Sequence, residues 1–95
     1  MTEFSRKIIE IISNIKHGEY LSYGEIAELA GNSRGARQVA RILSTCSRKY
    51  KLPWHRVVNS KYAVSINDPY FKQIQIDLLR SEGVSVNDEG KIKIE

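Results

Sequence analysis

Ser22-Tyr23-Gly24-Glu25-Ile26-Ala27-Glu28-Leu29-Ala30-Gly31-Asn32-Ser33-Arg34-Gly35-Ala36-Arg37-Gln38-Val39-Ala40-Arg41 reads as two short helices joined by a glycine-containing turn. Ser22 and Glu25 have the spacing of a capping box, in which each side chain satisfies a backbone donor left open at a helix start. Ile26, Leu29 and Ala30 then fall on a core-facing side, and Gly31 suits the left-handed residue that ends a helix. Asn32 or Ser33 caps the next helix, predicted to reach about Ser44 with Ala36, Val39, Ala40 and Leu43 as its buried stripe. Arg34, Arg37 and Arg41 are spaced three and four apart and line one edge of it, an order that core packing does not require. A helical pair whose second member is cationic is the helix-turn-helix pattern. Many such pairs bind nothing, so the rest of the chain has to be weighed with it.

Outward from this pair, Thr2 is placed to cap a first helix whose Phe4, Ile8, Ile11, Ile12 and Ile15 share one face, and Gly18 is expected to stop it. After Cys46 the helical period fades, and Pro53 forces Leu52 out of helical conformation, so Pro53-Trp54-His55-Arg56 is expected in an ordered loop. Tyr62-Ala63-Val64-Ser65-Ile66 reads as a short strand. Asp68-Pro69 offers a cap followed by proline at the first helical position, opening a helix with Phe71, Ile74, Leu78 and Leu79 on its apolar face and Gly83 at its end. Val84, Val86, Ile92 and Ile94 alternate with polar residues around Asn87-Asp88-Glu89-Gly90, the pattern of a hairpin or wing. The expected fold is mainly α: a winged-helix-like domain with a helix-turn-helix and a small β element, filling residues 1–95 as a single domain.

The 95 residues carry a net charge of +4, unevenly spread. Between Asn32 and Arg56 there are seven cations, Arg34, Arg37, Arg41, Arg48, Lys49, Lys51 and Arg56, and no carboxylate, which leaves the remainder of the chain net acidic. A local cationic face of this kind suits a polyanion. One cysteine, Cys46, excludes an internal disulfide and a multi-thiolate zinc site, and His17 and His55 are the only histidines, so neither metal nor cofactor is expected. No phosphate-binding glycine loop, dinucleotide fingerprint or His-Glu-x-x-His helix occurs. Glu3, Arg6, Lys7 and Glu10 interrupt the start of the chain, and no stretch is long and apolar enough to span a bilayer, so a cytoplasmic, nucleoid-associated protein without a membrane partner is expected.

Pro53-Trp54-His55-Arg56-Val57-Val58 resembles the Pro-Cys-His-Arg-Val hallmark of the DNA-binding domain of 6-O-alkylguanine-DNA alkyltransferases, with tryptophan in place of cysteine as in the alkyltransferase-like proteins. Three further segments fit in family order. Ser22-Tyr23-Gly24-Glu25-Ile26-Ala27 is similar to the segment before the family's helix-turn-helix, Ala36-Arg37-Gln38-Val39 to its recognition helix, and Leu78-Leu79-Arg80-Ser81-Glu82-Gly83 to its late helix. The resemblance implies that the helix-turn-helix enters the minor groove. Arg37 would be the finger that fills the space of an extruded guanine, and Tyr23 would crowd the 3′ phosphate to rotate the nucleotide. Arg34, Gly35, Ala36, Gln38 and Arg41 would complete the DNA-binding face, Gly35, Ala36 and Ala40 keeping the helix slender. Tyr23, Trp54, Val57 and Asn59 would form the lesion pocket. His55 and Glu82 match the relay that activates the thiol in the enzymes and would be degenerate here, with no thiol to serve. The pocket-side arginine of some alkyltransferase-like proteins has no counterpart in Ile66-Asn67-Asp68, and the enzymes' additional N-terminal domain is not in this sequence.

The function so implied is non-enzymatic recognition of 6-O-alkylguanine in duplex DNA, with nucleotide flipping, by a monomer that flags the lesion for nucleotide excision repair proteins. Extrusion of a base costs a few kcal/mol, less for a damaged pair. The indole nitrogen is a donor without a usable lone pair, so tryptophan cannot accept an alkyl group by displacement. Two other readings stand beside it. A sequence-specific winged-helix transcription regulator would share the helix-turn-helix, and an active alkyltransferase would have to use Cys46, whose neighbours supply nothing to lower its pKa.

Overall fold

The computed structural model describes residues 1–94. Four helices, α1 (Glu3–Ser13), α2 (Tyr23–Leu29), α3 (Ala36–Tyr50) and α4 (Pro69–Ser81), surround a parallel pair of two-residue strands, β1 (Leu21–Ser22) and β2 (Val57–Val58). Among the described residues no helix is long and apolar enough to cross a membrane.

Thr2 caps α1, its hydroxyl accepting from the Ser5 N–H at 3.0 Å. Ile8, Ile12 and Ile15 are buried, whereas Phe4 and Ile11 are only partly so. The helix ends at Ser13, five residues before Gly18. Asn14 closes it, with its backbone N–H and side-chain amide both reaching Glu10 O, and Gly18 belongs to the following turn. Ser22 and Glu25 form both halves of the capping box, at 3.1 and 2.9 Å. At the other end of α2, Gly31 takes φ +101°, and the Gly31 and Asn32 N–H groups donate to Glu28 O and Ala27 O. Only a residue free of a Cβ takes this left-handed conformation without strain. Ile26, Ala27 and Ala30 face the core, but Leu29 is 64% exposed.

The third helix departs from expectation in start, length and register. Gly35, not Asn32 or Ser33, is its cap residue, and the Asn32 side chain instead accepts from the Arg34 N–H within the turn. It continues to Tyr50, six residues past Ser44, because nothing between Thr45 and Tyr50 breaks a helix, and Lys51 closes it in left-handed conformation. Val39 and Ile42 are its buried residues; Ala40 is exposed and Ala36 and Leu43 are half-buried. Gly35 itself is buried. A Cβ there would lie 2.5 Å from the Phe4 ring, so its lack of a side chain serves the packing of α1.

Asp68 caps α4 and Pro69 occupies its first position. The buried face is Gln75, Ile76 and Leu79; of the expected Phe71, Ile74, Leu78 and Leu79 only Leu79 lies on it, Ile74 is half-buried, and Phe71 and Leu78 are exposed. Glu82 caps the C-terminal end and Gly83 follows it. Tyr62–Ile66 forms no strand; an isolated bridge joins Ala63 to Lys91, and another joins Val86 to Ile92 within the expected wing. Val84, Val86 and Ile92 are buried there, Ile94 is exposed, and Arg80 ties the wing to α4 through Val86 O at 2.9 Å and Asp88 at 3.1 Å.

The core divides in two. One cluster gathers α1, α2 and α3 with Leu52 and Val57; the other gathers Val58, Val64, Ile76, Leu79, Val84, Val86 and Ile92. Successive strand residues point to opposite faces, so the neighbouring valines of β2 anchor one cluster each.

Candidate nucleic-acid interface

Arg34, Arg37 and Arg41 are all exposed and make no ion pair among the described residues, so the cationic edge formed by α3 and the turn before it is free to meet an anion. Arg34 sits in the turn before α3, Arg37 in its first turn and Arg41 one turn later. Gln38 is turned toward the protein, its amide 3.5 Å from the Ser5 hydroxyl of α1.

Beside this edge opens a cavity of about 600 Å³, lined by Tyr23, Trp54, Val57 and the second half of α3, and closed by Ile66, Phe71 and Gln75. Tyr23 stands at the N-terminus of α2, and Trp54 opens a single 3-10 turn, Trp54–Arg56, that leads into β2. The pairing Leu21↔Val57 and Ser22↔Val58 brings the start of α2 against the end of that turn. Asn59 is not on the cavity wall. Its side-chain oxygen accepts from the Lys61 and Ala63 N–H groups, at 2.9 and 3.0 Å, and shapes the turn after β2.

His55 and Glu82 do meet: Nε2 of the imidazole lies 2.7 Å from Oε2 of the carboxylate. Arg56, which sequence reasoning had left without a role, holds the same carboxylate with a two-pronged contact at 2.9 and 2.8 Å and donates to Ile15 O at 2.8 Å. The Gly18 N–H adds a fourth bond at 3.1 Å. Glu82 is only 8% exposed at its side chain, and the Arg56 guanidinium, with help from His55 and Gly18, holds its carboxyl well below the usual carboxylate range. An ionised carboxylate only accepts, so Nε2 carries the proton and Nδ1 of a neutral ring is left as an acceptor.

Gln75 was also missed. Its buried amide donates to His55 O and Val57 O, at 3.1 and 2.9 Å, fixing the Trp54 turn from below. A glutamine in an apolar helix stripe, four residues from Phe71 and from Leu79, was the one signal available. Cys46 is half-buried, with Sγ 3.5 Å from the Thr45 hydroxyl, and does not line the cavity. Among the described residues no three His, Cys, Asp or Glu side chains gather as a metal site.

The family model described as the DNA-binding domain of 6-O-methylguanine DNA methyltransferase matches residues 3–84. The chain belongs to this family. Within it, the chain is 37% identical over 92 residues to the DNA base-flipping protein of Escherichia coli, covering 97% of this chain and 70% of that one. It is 37% identical over 87 residues to alkyltransferase-like protein 1 of Schizosaccharomyces pombe, covering 90% and 81%. A crystal structure of that yeast protein in complex with damaged DNA containing O6-carboxymethylguanine superposes with a TM-score of 0.81 at 35% identity, over 100% of this chain and 91% of the other. The mainly helical architecture is thus that of the alkyltransferase-like branch of the family.

Proposed function

We propose that this protein binds duplex DNA through α2 and α3, everts a 6-O-alkylguanine nucleotide into the cavity walled by Tyr23, Trp54 and Val57, and holds it there without transferring the alkyl group. The observation that carries this reading is the composition of the cavity wall, in which Trp54 meets Ala40 and Ser44 of α3, residues one helical turn from Arg37 and Arg41. Relatives named as a base-flipping protein and as an alkyltransferase-like protein support it, as does the yeast complex with damaged DNA. Trp54 stands in the Pro-x-His-Arg context where the enzymes carry their thiol, and indole offers an apolar wall but no nucleophile. Arg37 fills the vacated stack, Arg34 and Arg41 hold phosphates, and His55 and Glu82 act as a brace. The protein works as a single-domain monomer in the cytoplasm, on the nucleoid, and the held lesion is a flag for nucleotide excision repair proteins.

Arg37→Ala is expected to abolish the preference for a duplex with one 6-O-methylguanine over its unmodified twin. Arg41→Ala is expected to weaken both duplexes alike, since phosphate contacts carry no lesion information. Affinity for both falls steeply with salt, while the ratio between them persists. Equilibrium titrations of the two duplexes across a salt series check all three statements; a ratio that collapses to one with rising salt would put charge, not the pocket, in control. A sequence-specific regulator would instead prefer one unmodified sequence and ignore the lesion.

A further inference from the structure

The last turns of α3 build one wall of the cavity, and Arg48 is its exposed end. Ala40, Leu43, Ser44, Ser47 and Arg48 recur at i, i+3, i+4, i+7 and i+8, so one helical face supplies that wall. Most of its polar groups are already engaged with backbone carbonyls. Ser44 Oγ donates to Arg41 O at 2.9 Å, Ser47 Oγ donates to Leu43 O, and both donors of Gln75 are held by His55 O and Val57 O. The Tyr23 hydroxyl and the Trp54 indole N–H are neutral. Arg48 is different. It is exposed, makes no ion pair or side-chain hydrogen bond among the described residues, and is the one charged residue on a lining that contains no carboxylate.

We propose that Arg48 selects adducts that end in an anionic group. A carboxyalkyl chain on the 6-oxygen of an everted guanine would lie along Trp54, Leu43 and Val57 and bring its carboxylate to the guanidinium, whose planar fork matches it. A neutral alkyl group of equal size gains only the apolar wall. The inference rests on the lesion-binding reading and deepens it by naming the adduct class. A guanidinium at that exposed end could also meet a DNA phosphate, but such a contact is blind to the adduct, and the two uses therefore separate in a binding experiment.

The test uses four duplexes that differ at one guanine: unmodified, 6-O-methyl, 6-O-carboxymethyl and its neutral isostere 6-O-carbamoylmethyl. Anisotropy titrations with the full chain are expected to show carboxymethyl bound about fivefold more tightly than carbamoylmethyl, the upper end for an ion pair open to solvent. Arg48→Gln brings that ratio to one, while Arg48→Lys retains part of the charge preference. Thermal melts of each variant confirm the fold. Equal binding of carboxymethyl and carbamoylmethyl by the native protein overturns the proposal, and so does an Arg48→Gln variant that weakens all four duplexes by one factor with the ratio intact. Failure of the native protein to prefer methyl over unmodified DNA rejects the lesion-binding reading itself, and this inference with it.

Discussion

Glu82→Gln is expected to destabilise the protein by about 3 kcal/mol, the lower end for removing one partner of a buried pair, because it leaves the mostly buried Arg56 guanidinium, 17% exposed at its side chain, without its counter-charge. The carboxylate is the meeting point of His55, Arg56 and the Gly18 N–H, so its loss loosens the turn after α1, the Trp54 turn and the end of α4 together. For a domain of this size the melting temperature falls by roughly 15 °C or more. The effect has a pH signature. A carboxyl held below its ordinary value of 4.5 contributes its full stability above that value and loses it as the pH falls toward the depressed one. The gap between native and variant is therefore constant near neutrality and narrows on acidification below about 4.5. Circular-dichroism melts at stepped pH measure both features. A variant melting within two degrees of the native protein at neutral pH would show that the brace contributes nothing.

The second large effect is chemical silence. Incubation with DNA containing 6-O-methylguanine is expected to leave the mass of the protein and the modified nucleoside unchanged, while protecting the lesion from an added active alkyltransferase. Cys46 is off the cavity wall, and Trp54 has no lone pair to offer. A stoichiometric gain of mass on Cys46 with guanine restored would overturn the non-enzymatic reading. Trp54→Cys puts a thiol beside His55 and Glu82, whose 2.7 Å contact is already made. Transfer by that variant is expected to run at least about a hundredfold below a true alkyltransferase, since a cavity shaped around indole holds a small side chain loosely, and misplacement by an ångström carries a penalty of that order. Intact-mass time courses report it. Rapid stoichiometric transfer would mean that one residue separates sensor from enzyme.

Local chemistry was legible in the sequence wherever a short rule governs a chain end. Thr2, the Ser22–Glu25 capping box and Asp68-Pro69 all cap the helices assigned to them, because a cap depends on residues three or four positions apart. Register was harder. In α4 the apolar residues occupy two sides, and the buried position went to Gln75 because two carbonyls of the Trp54 turn needed a donor, a demand set by residues about twenty positions away. The β1–β2 pair was invisible for a related reason: two residues carry no alternation to read. Among the site residues, Trp54, Val57 and Tyr23 converge on one cavity and His55 finds Glu82, all placed by a resemblance rather than by periodicity. Gly35 and Asn59 serve packing and a turn, roles that only a neighbouring ring or loop reveals.

The two rungs between β1 and β2 have a mechanical meaning. Tyr23 follows directly on Ser22, and Trp54 lies three residues before Val57, so the side chain that would crowd the nucleotide and the wall that would receive the base are riveted to the same short ladder. With Val57 and Val58 each sunk in a different core cluster, that ladder cannot shear without opening both. On the proposed reading, the distance between lever and receptacle is set before DNA arrives, and the distortion needed for capture would fall on the duplex, as bend and broken stacking. Capture by such a rigid template follows the breathing of the damaged pair, and a lesion flanked by weak A·T steps enters the pocket sooner than the same lesion between G·C steps.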